Sequence, residues 1–476
     1  MKLAKSMKLS LCSRFGWLFG MPLLILLISV SAIGYGTSWT ELPPPVVVGV
    51  PAMEVATATE RPVAPAKAEE TIVDEAKWYR GNLHTHSLWS DGNDFPEMIA
   101  RWYADNGYHF LALSDHNILS RNEKWMNLEQ IEKRGGEECM EKYKAAFAEG
   151  WVKTREVDGK TQVRLCPLNE FRELFESPGE FLMIEGEEIS DSLNGTPIHL
   201  NATNLEELLR PTGGATVSEV IDANLRAAAD QAEKTGRQIL VHLNHPNFGW
   251  AITAEDLAKV TRERFFEVYN GHPSVNHLGD ADHPSVERIW DIVNTLRVDK
   301  LEAPLLYGLA TDDSHNYHSE KGSRPGRGWV MVKSEALDAD ELIKAMYRGD
   351  FYSSSGVELS KVEFDSEAGT WSIEIVAEEG VTYETRFIGT RRGYNDESKP
   401  RLDNAGQPTS VTREYSKEIG EVLATNTTTS PGYRLTGDEL FVRAVITSSK
   451  DHPDPSFEGQ TEQAWTQPFR GKSADD

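Results

Sequence analysis

The stretch GNLHTHSLWSD, residues 81–91, sets two histidines one residue apart and an aspartate five residues further on. On an extended segment, His84 and His86 point to the same side, because side-chain direction repeats every second residue. Two neutral imidazoles facing one way make half of a metal site, and imidazole combined with carboxylate suits zinc, manganese or iron. Groups of the same type recur along the chain: Asp91, Asp115 with His116, Glu187 with Glu188, His199, His242 with His245, and Asp313 with His315. Twelve of the 13 histidines lie between His84 and His318, so any such centre belongs to that part of the chain. A polar strand end with two hydrogen-bonded histidines would explain HxH alone. It does not explain ligand types arriving at one strand end after another.

The elements that must position these groups follow an alternating grammar. Residues 96–106 (PEMIARWYADN) read as a helix, with Pro96 in its first turn and Gly107 just past its end. Short apolar runs at 108–114, 181–184, 238–243, 265–269 and 305–310 read as strands, and 223–234, 286–296 and 337–348 as helices. Strand, helix, strand with polar residues at the strand ends is the pattern of a parallel barrel or a doubly wound sheet. A parallel barrel gathers the C-terminal ends of its strands on one face, so ligands from six segments would converge there. Residues 118–180 break the rhythm. They are charged, hold a helix expected over 130–148, and read as an insertion or lid on that face. From residue 356 to 470, alternating strand-length runs such as TWSIEIVAE and ELFVRAVIT predict a small antiparallel β domain, sandwich-like, that braces the first or binds a glycan, a partner or the envelope.

Residues 1–36 carry a basic head (Lys2, Lys5, Lys8, Arg14) and then an uncharged apolar run. Either a cleaved signal peptide or an uncleaved membrane anchor fits, and both place the remainder outside the cytoplasm, in a periplasmic or similar compartment. Residues 37–70 read as a Pro-rich linker, which makes 71–355 the catalytic domain. The net charge of −26 argues against a nucleic-acid backbone as partner. It leaves room for a small ester substrate, anionic or neutral, drawn to a locally cationic centre. Cys139 and Cys166 follow the export segment, either as one disulfide or as two buried thiols. No C-x-x-C pattern exists, so the expected metal chemistry rests on His, Asp and Glu.

Taken together, HTHSLWSDG, LALSDHN, GEEIS, NHPN and TDDSH resemble the polymerase and histidinol phosphatase (PHP) superfamily, over about residues 81–352. The GNLHTHS opening and the trailing β domain ending in AWTQPF resemble its exported, carbaryl-hydrolase-like branch. The resemblance implies an α/β fold, a distorted (β/α)7 TIM-like barrel followed here by the β-sandwich-like domain, with two to three divalent ions (Mn, Zn or Fe). By motif, His84, His86, Glu188 and Asp313 would hold one ion and carry catalysis. Glu188 would bridge to a second, completed by His199 and His245. Asp91, His116 and His315 would hold a third. Glu188 rather than Glu187 occupies the Glu-x-Ser place, and Asp313 rather than Asp312 forms DxH with His315. Asp115 would orient a ligand, and His242 would either orient one or be simply a buried polar residue.

Clustered ions generate hydroxide near neutral pH and clamp a departing oxyanion. The expected reaction is therefore hydrolysis by a metal-bound hydroxide, without a serine or cysteine nucleophile and without a G-x-S-x-G elbow. Phosphoester hydrolysis is the favoured function. Carbamate, ester or amide hydrolysis is the alternative within enzymes, and a non-catalytic metal- or ligand-binding module the alternative outside them. Arg324 and Arg327 in GSRPGRGW would bind a phosphate or carboxylate fork-wise, or would be ordinary loop arginines. His272, like His277, His283 and His318, lies in a loop expected on the catalytic face, as a substrate contact or as a solvated residue.

Overall fold

A computed structural model describes residues 76–471. The expected export segment (1–36) and linker (37–70) lie outside the described residues. No helix among the described residues is long and apolar enough to cross a membrane.

The HxH motif leaves the end of β1 (Lys77–Asn82), and α1 (Pro96–Asp105) returns the chain to β2 (Phe110–Leu113). After the insertion come β3 (Leu182–Leu193), β4 (Thr196–Thr203), α2 (Val217–Thr235), β5 (Leu240–Leu243), β6 (Phe265–Asn270), α3 (Val286–Asp299) and β7 (Tyr307–Thr311). Then follow β8 (Trp329–Ser334), α4 (Ala339–Arg348) and β9 (Phe351–Ser354), and further on β10 (Tyr383–Arg391), β11 (Glu421–Asn426), β12 (Glu439–Asp451) and β13 (Thr461–Thr466). All these strands belong to one 14-stranded sheet, in the order β7-β6-β5-β4-β3-β2-β1-β8-β9-β13-β12-β10-β11, with the short fourteenth strand Phe469–Arg470 paired to β12 off this path.

The sheet curls but does not close, so the expected barrel is not formed. Strands β1, β2, β3, β5, β6, β7 and β8 share one apolar cluster, with Tyr79, Phe110, Ile184, Leu240, Phe265, Leu309 and Val330 packed against Leu342, Ile343 and Met346 of α4. Between β1 and β7 there is no strand ladder. One bridge, Thr85 to Ser314, joins their extensions, and His86 N donates to Ser314 O at 2.9 Å. The purely parallel arrangement also fails. β3 and β4 form an antiparallel hairpin through Asn194 (φ 53°) and Gly195 (φ 84°), and β4 pairs antiparallel with β5. Two left-handed residues in a row define the tight hairpin turn, and Asn-Gly is the pair that adopts it at least cost.

The insertion differs from expectation too. Its helical stretch is broken into Leu128–Gly135 and Glu138–Ala146, because Gly136 adopts φ 83°. Three short antiparallel strands, Lys124–Asn127, Thr154–Val157 and Lys160–Leu165, complete it. Cys139 and Cys166 are free, buried thiols.

The sheet runs on without interruption past residue 355. Tyr352, Ser353 and Ser354 of β9 pair with Thr466, Trp465 and Ala464 of β13. A separate three-stranded sheet (Leu359–Asp365, Thr370–Ile375, Gly432–Arg434) covers this extension, with Trp371 and Ile373 packed against Phe387, Val442 and Ala444.

Candidate metal centre

The site is built around Glu188. It sits on β3 with its neighbour Glu187 on the opposite face, as the pleat requires. Glu187 accepts from Leu209 N at 2.6 Å, and burial pushes its carboxyl up to about 8. Glu188 faces the histidines. Its Oε1 lies 3.6 Å from His84 Nε2, 3.0 Å from His199 Nδ1 and 3.5 Å from His245 Nε2. Its Oε2 lies 3.4 Å from His86 Nε2 and 2.6 Å from His116 Nδ1. His199 is thus brought in from the middle of an antiparallel strand rather than from a parallel strand end. It pairs with Ser190, two residues from Glu188 on the same face.

His84 Nε2 and His86 Nε2 approach to 3.1 Å, and Asp313 Oδ1 stands 3.1 and 3.2 Å from them. Asp313 reaches this position at φ 47°, and His245 at φ 24°. Left-handed backbone at non-glycine residues costs energy and persists where surrounding structure holds it. The neighbouring Asp312 turns away. It accepts from Gly326, Arg327 and Gly328 backbone N–H groups at 3.0, 2.6 and 2.8 Å and from Tyr103 Oη at 2.8 Å.

The third group gathers at the open side. Asp91 Oδ1 lies 3.4 Å from His315 Nε2 and 3.6 Å from His86 Nδ1, and its Oδ2 lies 3.4 Å from His116 Nε2. The Asp91 side chain is 53% exposed, against 0% for His84 and His86. The cluster therefore has a buried floor and a solvent-facing mouth. Asp115 holds the loop between them. Its Oδ1 accepts from Ser87 N at 2.8 Å and Ser90 Oγ at 2.6 Å, and its Oδ2 from Ser87 Oγ at 2.7 Å. The insertion grips the same loop. Arg134 donates to Ser90 O at 2.5 Å, Lys124 donates to Trp89 O, and Trp89 Nε1 donates to Cys166 O at 3.2 Å.

Sequence reasoning missed Glu267. Its Oε1 lies 2.7 Å from His84 Nδ1 and accepts from Thr311 Oγ1 at 2.7 Å. Its Oε2 accepts from His245 N at 2.7 Å and Asn270 Nδ2 at 2.8 Å. An ionised carboxylate only accepts, so Nδ1–H points at Glu267, and Nε2 is the nitrogen turned toward the cluster. Asn244 was missed as well. Its Nδ2 donates to Glu188 Oε1 at 2.8 Å and to Asn201 Oδ1 at 2.8 Å. His242 is buried 3.5 Å from Glu267 Oε1, and neither ring nitrogen has a hydrogen-bond partner.

The electrostatics are those of a centre prepared for cations. Burial works against charge on His84, yet Asp313, Glu267 and Glu188 outweigh it and hold the imidazole well above its ordinary value. Burial, reinforced by His315, pushes His86 down to about 4. Against burial, the surrounding histidines hold Glu188 and Asp313 well below the usual carboxylate range. Also against burial, Glu188 and Asp91 raise His116 to about 11. Glu188 Oε2 is buried without a hydrogen-bond partner although nitrogens surround it. An orphaned carboxylate oxygen and two imidazole nitrogens converging on one point are the donor set a divalent ion satisfies. The groups His84-His86-Glu188, His116-Glu188-His199 and His86-Asp91-His116-His315 each bring their ligand atoms within 4.8 Å of one another.

The expected substrate contacts fare differently. His272 stands beside the cluster, its ring centroid 5.8 Å from that of His315. Arg327 is 3% exposed and committed to Gly271 O at 2.8 Å and Asp454 Oδ1 at 2.9 Å. That corrects the expectation of a free fork for a substrate anion. Arg324 pairs with the other oxygen of Asp454 at 3.4 Å.

No protein-family model matches the chain, and no curated protein matches it. Among solved structures it is similar to a two-domain protein from Bacteroides vulgatus containing a predicted PHP-like metal-dependent phosphoesterase. Identity is 14%, over 83% of this chain and 96% of that one, with a TM-score of 0.35. It is also similar to a candidate metal-dependent phosphoesterase from Bifidobacterium adolescentis, at 14% identity over 53% of this chain and 94% of that one, with a TM-score of 0.25. Scores that low leave the reading of the site to its own geometry.

Proposed function

We infer that the protein is a metal-dependent hydrolase, with phosphate esters as its favoured substrate class. The observation that carries this is the buried Glu188 carboxylate bracketed by five imidazoles and flanked by Asp313 and Asp91. His84, His86, Glu188 and Asp313 form the floor that would hold one ion. His199 and His245 would complete a second around Glu188, and Asp91, His116 and His315 a third. Two to three ions of the Mn, Zn or Fe type, once bound, supply hydroxide near neutral pH and offset charge on the reacting oxygens. The chain does the aiming: Glu267 orients His84, and Asp115 holds the loop of His86 and Asp91. The solvent-facing Asp91 side would admit the ester, and His272, with its ring 5.8 Å from that of His315, would contact it.

A second reading, hydrolysis of carbamates, carboxylesters or amides, is favoured by one observation. Arg327 is committed to Gly271 O and Asp454, and Arg324 shares Asp454, which weakens the case for an arginine fork selecting a dianionic phosphate. The test is hydrolysis by the purified protein, reconstituted with Mn²⁺ or Zn²⁺, of a matched chromogenic phosphomonoester, phosphodiester, carboxylester and aryl carbamate. Preference for a phosphate ester, lost with chelator and restored by metal, is expected. Turnover should vanish in the His84→Ala, His86→Ala double variant while its melting remains cooperative. Preference for the carbamate or carboxylester moves the protein to the second reading. Metal binding without any hydrolysis leaves a binding module.

A further inference from the structure

A second set of ligand-type side chains lies behind the loop that carries Asp91. Asp94 closes that loop, with its carbonyl accepting from Leu88 N at 2.9 Å. Cys139 projects from the insertion helix Glu138–Ala146, and His318 from the segment following Asp313 and His315. Asp94 Oδ1 is 3.7 Å from Cys139 Sγ, and Asp94 Oδ2 is 3.3 Å from His318 Nε2. All three ligand atoms lie within 4.8 Å of one another. A tetrahedral ion with bonds of about 2.0–2.3 Å asks for donor separations of about 3.3–3.8 Å.

The histidine marks this as more than a buried thiol beside a carboxylate. The His318 side chain is only 10% exposed, and its Nε2 has no hydrogen-bond partner despite its distance to Asp94. Asp94 Oδ1 is already served by Phe95 N at 2.8 Å as well as by the weak thiol donor. Hydrogen bonding therefore satisfies Asp94 Oδ1 and leaves the imidazole orphaned, whereas one cation accounts for all three groups. The packing is also close. A Cβ at Gly135 would fall 2.5 Å from Asn93 O and 2.9 Å from Cys139 Sγ, so only glycine lets the preceding helix end press the thiol against this loop.

We propose that Asp94, Cys139 and His318 hold a single structural divalent ion, zinc by the chemistry of a thiolate, an imidazole and a carboxylate. The fourth position is open to water or to the Asn93 carbonyl oxygen, which lies 3.9 Å from Sγ. The ion staples the insertion to both loops that supply the open side of the hydrolytic cluster, since Asn93 N donates to His315 O at 2.9 Å and Asn93 Oδ1 accepts from Tyr317 N at 2.9 Å. The three ligands come from separate segments, and no C-x-x-C spacing announces them.

The test uses the full chain, stripped of metal and reloaded with Co²⁺. Only thiolate ligation gives a sulfur-to-cobalt charge-transfer band in the near ultraviolet, and the donors around Glu188 are all nitrogen and oxygen. The band is expected in the unaltered protein and in Cys166→Ser. It should be lost in Cys139→Ser and lost or shifted in His318→Gln, with one metal equivalent per chain lost from Cys139→Ser. A cobalt-loaded unaltered protein without the band, or a band that survives Cys139→Ser, overturns the site. Neither outcome depends on whether any ester is hydrolysed, so failure of the hydrolase reading would leave the result intact.

Discussion

Glu267 decides which nitrogen of His84 faces the cluster, and it does so from within an apolar strand, FFEVYN. Glu267→Gln keeps shape and volume but presents an amide that no longer requires the proton on Nδ1. Metal affinity should fall about 10–100-fold, the usual penalty for losing a carboxylate that orients a histidine ligand. A competitive chelator titration of the variant against the unaltered protein reads this directly, and affinity within twofold would remove Glu267 from that role. The residue also shows where sequence reading stops. HxH and DxH are legible because both partners sit on one short segment with a known side-chain direction. The partner of Glu267 lies 183 residues away, so no local spacing ties them together. The signal was present only as an acid in an otherwise apolar strand, which is costly unless it is paired.

At the scale of elements, α1 was legible from its Pro96 start and Gly107 stop, yet its function in packing was not. It buries Glu97 against the insertion, where Oε1 accepts from Tyr143 Oη at 2.5 Å and from Trp151 Nε1 at 3.1 Å. Burial raises this carboxyl to about 7, and the two donors only partly oppose it. A folded pKa above the unfolded value means that the fold favours the protonated acid. The stabilisation is complete below about pH 4.5, declines as pH rises through 7, and is absent above, a swing of about 3 kcal/mol. Glu97→Gln should therefore gain stability at pH 8 relative to the unaltered protein, by about 1–3 kcal/mol, and gain none at pH 4.5. Denaturant unfolding of both proteins at the two pH values checks it; an equal difference at both would rule out titration of Glu97. The hairpin of β3 and β4 was hidden for a different reason. Asn194-Gly195 is a strong turn pair, but a parallel barrel has no hairpin between neighbouring strands, and His199 arrives by the antiparallel route.

For the whole molecule, the strands of the C-terminal part were legible from their alternation, but not their continuity with the first sheet, because β9 finds β13 more than a hundred residues later. That continuity bears on the unclosed seam. β7 is an edge strand, and an unpaired edge must be covered or satisfied. Gln467 does this with one side chain: its Oε1 accepts from Gly308 N at 2.8 Å, and its Nε2 donates to Gly308 O at 2.9 Å, a carbonyl that also accepts from Ser353 Oγ. The C-terminal part thus substitutes an amide for the missing ladder, and Arg443 ties the same region to α3 through a buried double contact with Asp291 at 2.7 and 2.9 Å. The two contacts predict different costs. Arg443→Ala leaves the Asp291 carboxylate buried and unpaired and should destabilise by about 3–5 kcal/mol. Gln467→Leu keeps volume and leaves one orphan, the Gly308 N–H, since Ser353 still serves the carbonyl; its expected cost is about 1–3 kcal/mol. Amide hydrogen exchange separates the second effect from a general loosening. In Gln467→Leu, protection should fall first at Gly308 and its β7 neighbours, while β1 and β2 keep theirs. Uniform loss across the sheet would mean that Gln467 stabilises the molecule through packing and not by closing the edge.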